Sequence, residues 1–290
     1  MKRIFIIITL LFISGFIFAQ LNISGIVIDS ADKSIIPFAT LEILSRRTGT
    51  VANDKGVFKW NIDEKYINDT VIISALGYDK SRIVLKDILK QKKIEIRLSS
   101  KIFSLQTIEI KNIKPKTINV GSRKIFALFT GMGSLPGQII ASYINVDSNN
   151  NGFIKTVGVY LLKRGRPDAP FRIRLLNLEK DIMLPGDDMI KESLILNNSE
   201  GGKWVDINVS KYHIPIPKKG FFIAIEWIKT KDEYYYKEGY LDYGPVVGVT
   251  YEFKKCNTFS KSLGNIWWNW NFIEPDFSLM VRAKLEVWEN

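Results

Sequence analysis

The sequence predicts an all-β protein made of two β-sandwich domains: a small sandwich first and a larger, jelly-roll-like one after it. Three observations predict this. Short runs rich in Ile, Val, Phe and Thr alternate apolar and polar residues with period two, as a strand with one buried face requires. Clusters of Gly, Pro, Asn and Asp punctuate them every ~8–12 residues, the spacing of sandwich turns. The 290 residues exceed one ordinary small domain and suit two, each with its own core. With 46% hydrophobic and 24% charged residues, the composition is that of a folded globular chain.

Taken in order, residues 1–19 read as a signal peptide. Lys2 and Arg3 form a basic start, Ile4 to Phe18 an apolar run, and Ala19 a small residue at which to cleave. The run is shorter than the ~20 residues that span a bilayer, and no later segment replaces it. Export to the periplasm or to the outer membrane is therefore expected, with no transmembrane segment left after cleavage. A lipoprotein is not expected, because the one cysteine, Cys256, lies far from that run. One cysteine also forms no internal disulfide, so core burial must hold the fold.

Residues 20–99 form the first expected sandwich. In ATLEIL, Ala39, Leu41 and Ile43 share one face while Thr40 and Glu42 take the other. In GVFKWNI, Phe58, Trp60 and Ile62 face inward. Between these runs, the NDKG at 53–56 is a hairpin turn, with Asn53 and Asp54 bonding nearby backbone and Gly56 taking positive φ. The pieces SGIVID (24–29), IPFATLEI (36–43), GTVANDKGVF (49–58) and ALGY (75–78) together resemble the carboxypeptidase-regulatory-like domain. That resemblance implies a transthyretin-like sandwich in a bacterial envelope setting and no catalytic residue of its own. In this family the module often precedes the plug and barrel of TonB-dependent transporters, and residues 97–112 are similar to the connector that follows it there. No barrel is expected here, because the remaining ~180 residues lack the long series of lipid-facing strands.

Residues 100–119 are expected as an exposed connector between separately folding sandwiches. The second sandwich, 120–290, shows strands at 171–178, 203–209, 221–228, 265–272 and 276–288. The segments PDAPFRIRLLNL, KWVDINVSKYHIPIPKKGFFIAIEWI and YGP resemble an uncharacterised C-terminal region that accompanies the regulatory-like module elsewhere. That resemblance brings no known activity.

The chain offers little conventional chemistry. A single histidine, His213, builds neither a two-His zinc site nor, without a G-x-S-x-G elbow, a placed triad, so no metal and no catalytic residue is expected. GMGSLPG (131–137) lacks the Lys-Ser/Thr of a phosphate loop. DSNNNG (147–152) opens like a calcium loop, but Gly158 stands where the closing Glu belongs, and an Asn-rich turn is the expected reading. Glu226, inside the apolar run FFIAIEWI, must be paired or lie at a strand edge, and Arg172 and Arg174 are its candidate partners. The formal charge of +11, or 11 − 2 = +9 without Lys2 and Arg3, is spread along the chain, so no nucleic-acid partner is expected.

Aromatic side chains mark the candidate ligand surface. Alternation in NIWWNWNF sends Ile266, Trp268, Trp270 and Phe272 to the core and Trp267 outward beside Asn269. The loop 232–244 adds Tyr235 and Tyr240, and Arg172 and Arg174 complete the candidate set. The expected function is a non-catalytic cell-envelope protein, a structural or docking module joined to a sandwich that binds a glycan or another envelope component, without a cofactor. The alternatives are a glycan-active hydrolase using Asp and Glu, and a structural subunit docked on an outer-membrane protein.

Overall fold

The computed structural model describes residues 20–101, 114–124, 127, 135–179, 182–197, 200–229, 244–251, 257–270 and 277–288. Among them the fold is almost entirely β, in two sandwiches with separate cores.

The first sandwich holds β1 (Gln20–Asp29), β2 (Thr40–Ile43), β3 (Thr48–Val51), β4 (Val57–Asp63), β5 (Thr70–Ser74), β6 (Ser81–Val84), the short helix α1 (Leu85–Leu89) and β7 (Ile94–Leu98). A three-stranded sheet in the order β4-β1-β7 packs on a four-stranded sheet in the order β3-β2-β5-β6. Leu41, Phe58, Trp60, Ile73 and Ile96 fill the space between them, and Leu85 and Ile88 of α1 close it. The alternation of β4 comes out as expected, with Phe58, Trp60 and Ile62 buried between exposed neighbours. The NDKG tip is a turn: Asn53 Oδ1 accepts from the amides of Lys55 and Val57, each at 3.0 Å, and Gly56 has φ +68°.

The second sandwich holds β8 (Lys116–Gly121), β9 (Ile139–Ile144), β10 (Asn151–Gly165), β11 (Phe171–Leu178), β12 (Pro185–Asp188), β13 (Leu194–Leu196) and β14 (Lys203–Asn208). It continues with β15 (Phe221–Trp227), β16 (Pro245–Val247), β17 (Val249–Tyr251), β18 (Thr258–Lys261), β19 (Trp268–Asn269), β20 (Phe277–Leu279) and β21 (Val281–Trp288). One sheet runs β14-β10-β21-β8, and the facing sheet runs β12-β11-β15-β9-β18-β19. Between them lies the larger core, with Phe171, Phe221, Ile223, Trp227, Val157 and Leu285 at its centre. The facing sheet also carries an outer apolar layer of Ile139, Ala141, Leu176, Phe222, Ala224 and Phe259, so its central strand β15 is buried on both faces.

Three expectations are corrected here. Lys116–Gly121 is a strand paired with β21, so the second sandwich begins inside the stretch expected as connector; residues 102–113 of that stretch lie outside the described residues. The run 276–288 is two strands, parted at the buried Met280. Among the described residues of 265–272, only Trp268–Asn269 is strand. Alternation therefore does not govern the run, and Ile266 and Trp268, expected in the core, are 71% and 38% exposed while Trp270 is buried. Phe272 lies outside the described residues.

Candidate functional site

The two sandwiches meet along the outer face of β11 and β15. Ion pairs join them on both sides of this contact. On one side Lys261 Nζ donates to Glu42 Oε1 at 2.7 Å, and the Gly264 amide donates to Glu42 Oε2 at 2.9 Å. Glu42 lies on the face opposite Ala39, Leu41 and Ile43, as read, but the second sandwich covers that face and Glu42 is only 3% exposed. On the other side Lys101 Nζ donates to Asp187 Oδ2 at 2.6 Å, and Lys80 Nζ stands 3.9 Å from Asp187 Oδ1. Asp187 is well exposed there.

Between these contacts lies a cleft of about 380 Å³. Its floor is a buried charge network. Arg172 donates from Nε and Nη2 to the two oxygens of Glu226 at 3.0 and 2.8 Å, and Arg174 Nη1 reaches Glu226 Oε2 at 3.3 Å. Arg174 also grips Asp188 through Nε and Nη2 at 2.8 and 2.6 Å. The register explains the cluster: Arg172 pairs directly with Glu226 across β11 and β15, while Arg174 lies on the same face, two residues along. Burial alone would push the Glu226 carboxyl up, but the charges of Arg172 and then Arg174 outweigh it and hold the group below its ordinary value. Burial likewise opposes the Arg174 charge, and Asp188 and Glu226 overcome it, so this guanidinium stays protonated.

The wall given by the first sandwich includes Phe38, Thr40, Ser74 and the segment Ala75–Lys80. Phe38 follows Pro37 in a turn and has φ +58°, a left-handed backbone that costs a bulky residue ~1–3 kcal/mol and that glycine would adopt freely. Its ring is buried, outside the apolar cluster of the first core, with the Arg172 guanidinium carbon 5.7 Å from the ring centroid. Trp267 lines the opposite side of the cleft and packs partly buried on the outer apolar layer.

Of the candidate ligand residues, the structure brings Arg172, Arg174 and Trp267 to this one cleft. The ion pairing expected of Glu226 is present. Trp267 is not the free outward platform that was expected, because the outer layer holds one side of it. Asn269 sits on β19, paired with Phe259, away from the cleft lining. Tyr235 and Tyr240 lie outside the described residues, as does Cys256. Sequence reasoning missed Phe38, Glu42, Lys101, Asp187 and Asp188; a Phe placed after Pro in a turn where Gly is cheaper was the one local signal.

Elsewhere, the Asn-rich loop has a cation of its own. Lys218 Nζ donates to Ser148 O at 2.9 Å and to Asn151 Oδ1 at 2.6 Å, while Asp147 Oδ1 caps the Asn149 amide at 2.9 Å. His213 sits in a turn at φ +46°, edge-on to Phe153. Among the described residues, no three of His, Cys, Asp and Glu converge as metal ligands.

Residues 23–110 match the CarboxypepD_reg-like domain, the family that SGIVID, IPFATLEI, GTVANDKGVF and ALGY resemble. The match spans the first core and ends before β8. No curated protein matches the chain.

Proposed function

We propose that the protein is a non-catalytic component of the bacterial cell envelope that binds an envelope component in the cleft between its two sandwiches. The observation that carries this reading is the pairing of four of the cleft's five acids. Glu42, Asp187, Asp188 and Glu226 each face an ammonium or guanidinium. A glycan hydrolase needs one carboxyl that keeps its proton near neutral pH and a second that attacks or activates water. Glu226, the most buried acid of the cleft, is instead held ionised between two arginines. Such an arrangement fixes a shape and a pattern of donors and acceptors, as a binding site requires.

Export and the envelope setting belong to the same proposal. They rest on the apolar, basic-flanked start of the sequence and on the company the regulatory-like module keeps. The first sandwich serves as a docking module that also completes the cleft.

The test is retention on isolated envelope polysaccharide by wild type, Trp267→Ala and Arg174→Ala, with reducing ends assayed in the same tubes. Retention that weakens in both variants, without release of reducing ends, is the expected result. Release of reducing ends that Glu226→Gln abolishes would favour the hydrolase, and equal retention by all three proteins would remove the cleft from the binding event.

A further inference from the structure

We infer that the cleft takes an uncharged saccharide unit, one or two sugar rings in size, seated between Trp267 and the wall bearing Phe38; this rests on the cleft being the binding site. Charge balance comes first. The lining holds five acids, Glu42, Asp79, Asp187, Asp188 and Glu226, against five bases, Lys80, Lys101, Arg172, Arg174 and Lys261. An anionic or cationic ligand would give up hydration and meet no net opposite charge in return.

Hydrogen-bonding capacity points the same way. Each carboxylate offers about four acceptor sites and each guanidinium five N–H donors. The Arg174–Asp188 pair uses two of each between its own groups, and Arg174 Nη1 gives a third N–H to Glu226, which still leaves donors and acceptors side by side. A sugar hydroxyl is both donor and acceptor and can bridge such a pair, whereas a carboxylate or an ammonium can satisfy only half of it.

Size and apolar surface complete the argument. A volume of about 380 Å³ lies at the lower end of the ~300–1,000 Å³ of small-ligand sites, enough for one or two rings. The indole of Trp267 supplies a flat face for the C–H side of a sugar. The Phe38 ring, kept at a backbone angle that favours glycine, packs beside the guanidinium of Arg172 in the polar floor.

The experiment pairs ligands that share a shape and differ in charge: chitooligosaccharide against its de-acetylated, cationic form, and galactose oligomers against galacturonate oligomers. Binding to the full chain is read by calorimetry in ~50 and ~500 mM salt, a range over which exposed charge interactions are screened. The expected result is an uncharged member bound at least about tenfold more tightly than its charged counterpart, with little salt dependence. Trp267→Ala and Phe38→Gly should both weaken that binding. Phe38→Gly suits the native backbone angle, so it removes the ring from a chain that folds, which a thermal scan verifies. Tighter binding of a charged member, steeply weakened by salt and by both variants, overturns the uncharged assignment and leaves the cleft reading standing. Binding that ignores both variants overturns the cleft reading as well. Binding of no sugar, with envelope retention still sensitive to Arg174→Ala, overturns the saccharide assignment alone.

Discussion

Strands β4 and β15 have the same length, seven residues, and each carries a charged side chain on the face turned away from its own core. In β4, at the edge of its sheet, Lys59 stays in water between buried Phe58 and Trp60. In β15, between β11 and β9, Glu226 is 1% exposed and held by two guanidinium groups. The difference lies in what covers the second face. Water covers the outer face of β4, whereas the apolar layer and the first sandwich cover that of β15. A charge that is exposed on one strand is enclosed by the fold on the other.

This contrast can be broken most forcefully by Glu226→Ala, which leaves Arg172 buried without its carboxylate. We expect a loss of about 3–5 kcal/mol in urea unfolding, against a change within ~0.5 kcal/mol for Lys59→Ala; similar costs for the two would mean that β15 does not bury its charge. The double change Glu226→Leu with Arg172→Met sharpens the point. It removes both members of the pair, leaves Arg174 with Asp188, and should recover at least about half of that loss.

A smaller effect, ~1–3 kcal/mol, is expected of Glu42→Ala, which strands the Lys261 ammonium and the Gly264 amide between the sandwiches. It should lower the thermal midpoint and speed native-state proteolysis.

The smallest effect belongs to Asp187→Asn, because this pair is well exposed and worth at most the ~0.2–1 kcal/mol of a surface bridge. Its pH dependence is nonetheless defined. The hydrogen bond from Lys101 outweighs burial and holds the Asp187 carboxyl below its ordinary 3.8. Its stabilisation is therefore present above that value and is lost as pH falls through the lowered one, so the wild-type advantage should shrink as the medium is acidified below 3.8.

The sequence made the strand interiors legible wherever one face met water. Phe58, Trp60 and Ile62 alternate as read, and the limits of β11 coincide with the run 171–178. Glu226 was also legible, since an acid in an apolar run must be paired or at a strand edge; β15 lies inside the sheet, and the arginines of FRIRLLNL lie on the neighbouring strand. Glu42 was not legible. Its partners Lys261 and Gly264 lie more than two hundred residues away, and alternation within ATLEIL says nothing about a second domain laid over the strand. Ile266 and Trp268 misled for the opposite reason: their period is that of a strand, but Leu263 and Gly264 form a turn and 265–267 carry no regular structure, so the run has only two strand residues, Trp268 and Asn269, among those described.

The parallel pairing of β1 with β7, from Gly25↔Ile94 to Asp29↔Leu98, has a mechanical consequence. These are the first and last strands of the first sandwich, and they lie side by side pointing the same way, so the chain enters this module at one end of the pair and leaves it at the other. A pull between those two ends acts along both strands in opposite senses and strains their slanted hydrogen bonds together, in shear. An antiparallel terminal pair pulled in the same way would part like a zipper, one bond at a time. A pull between Gln20 and Leu98 is thus resisted by five paired positions at once.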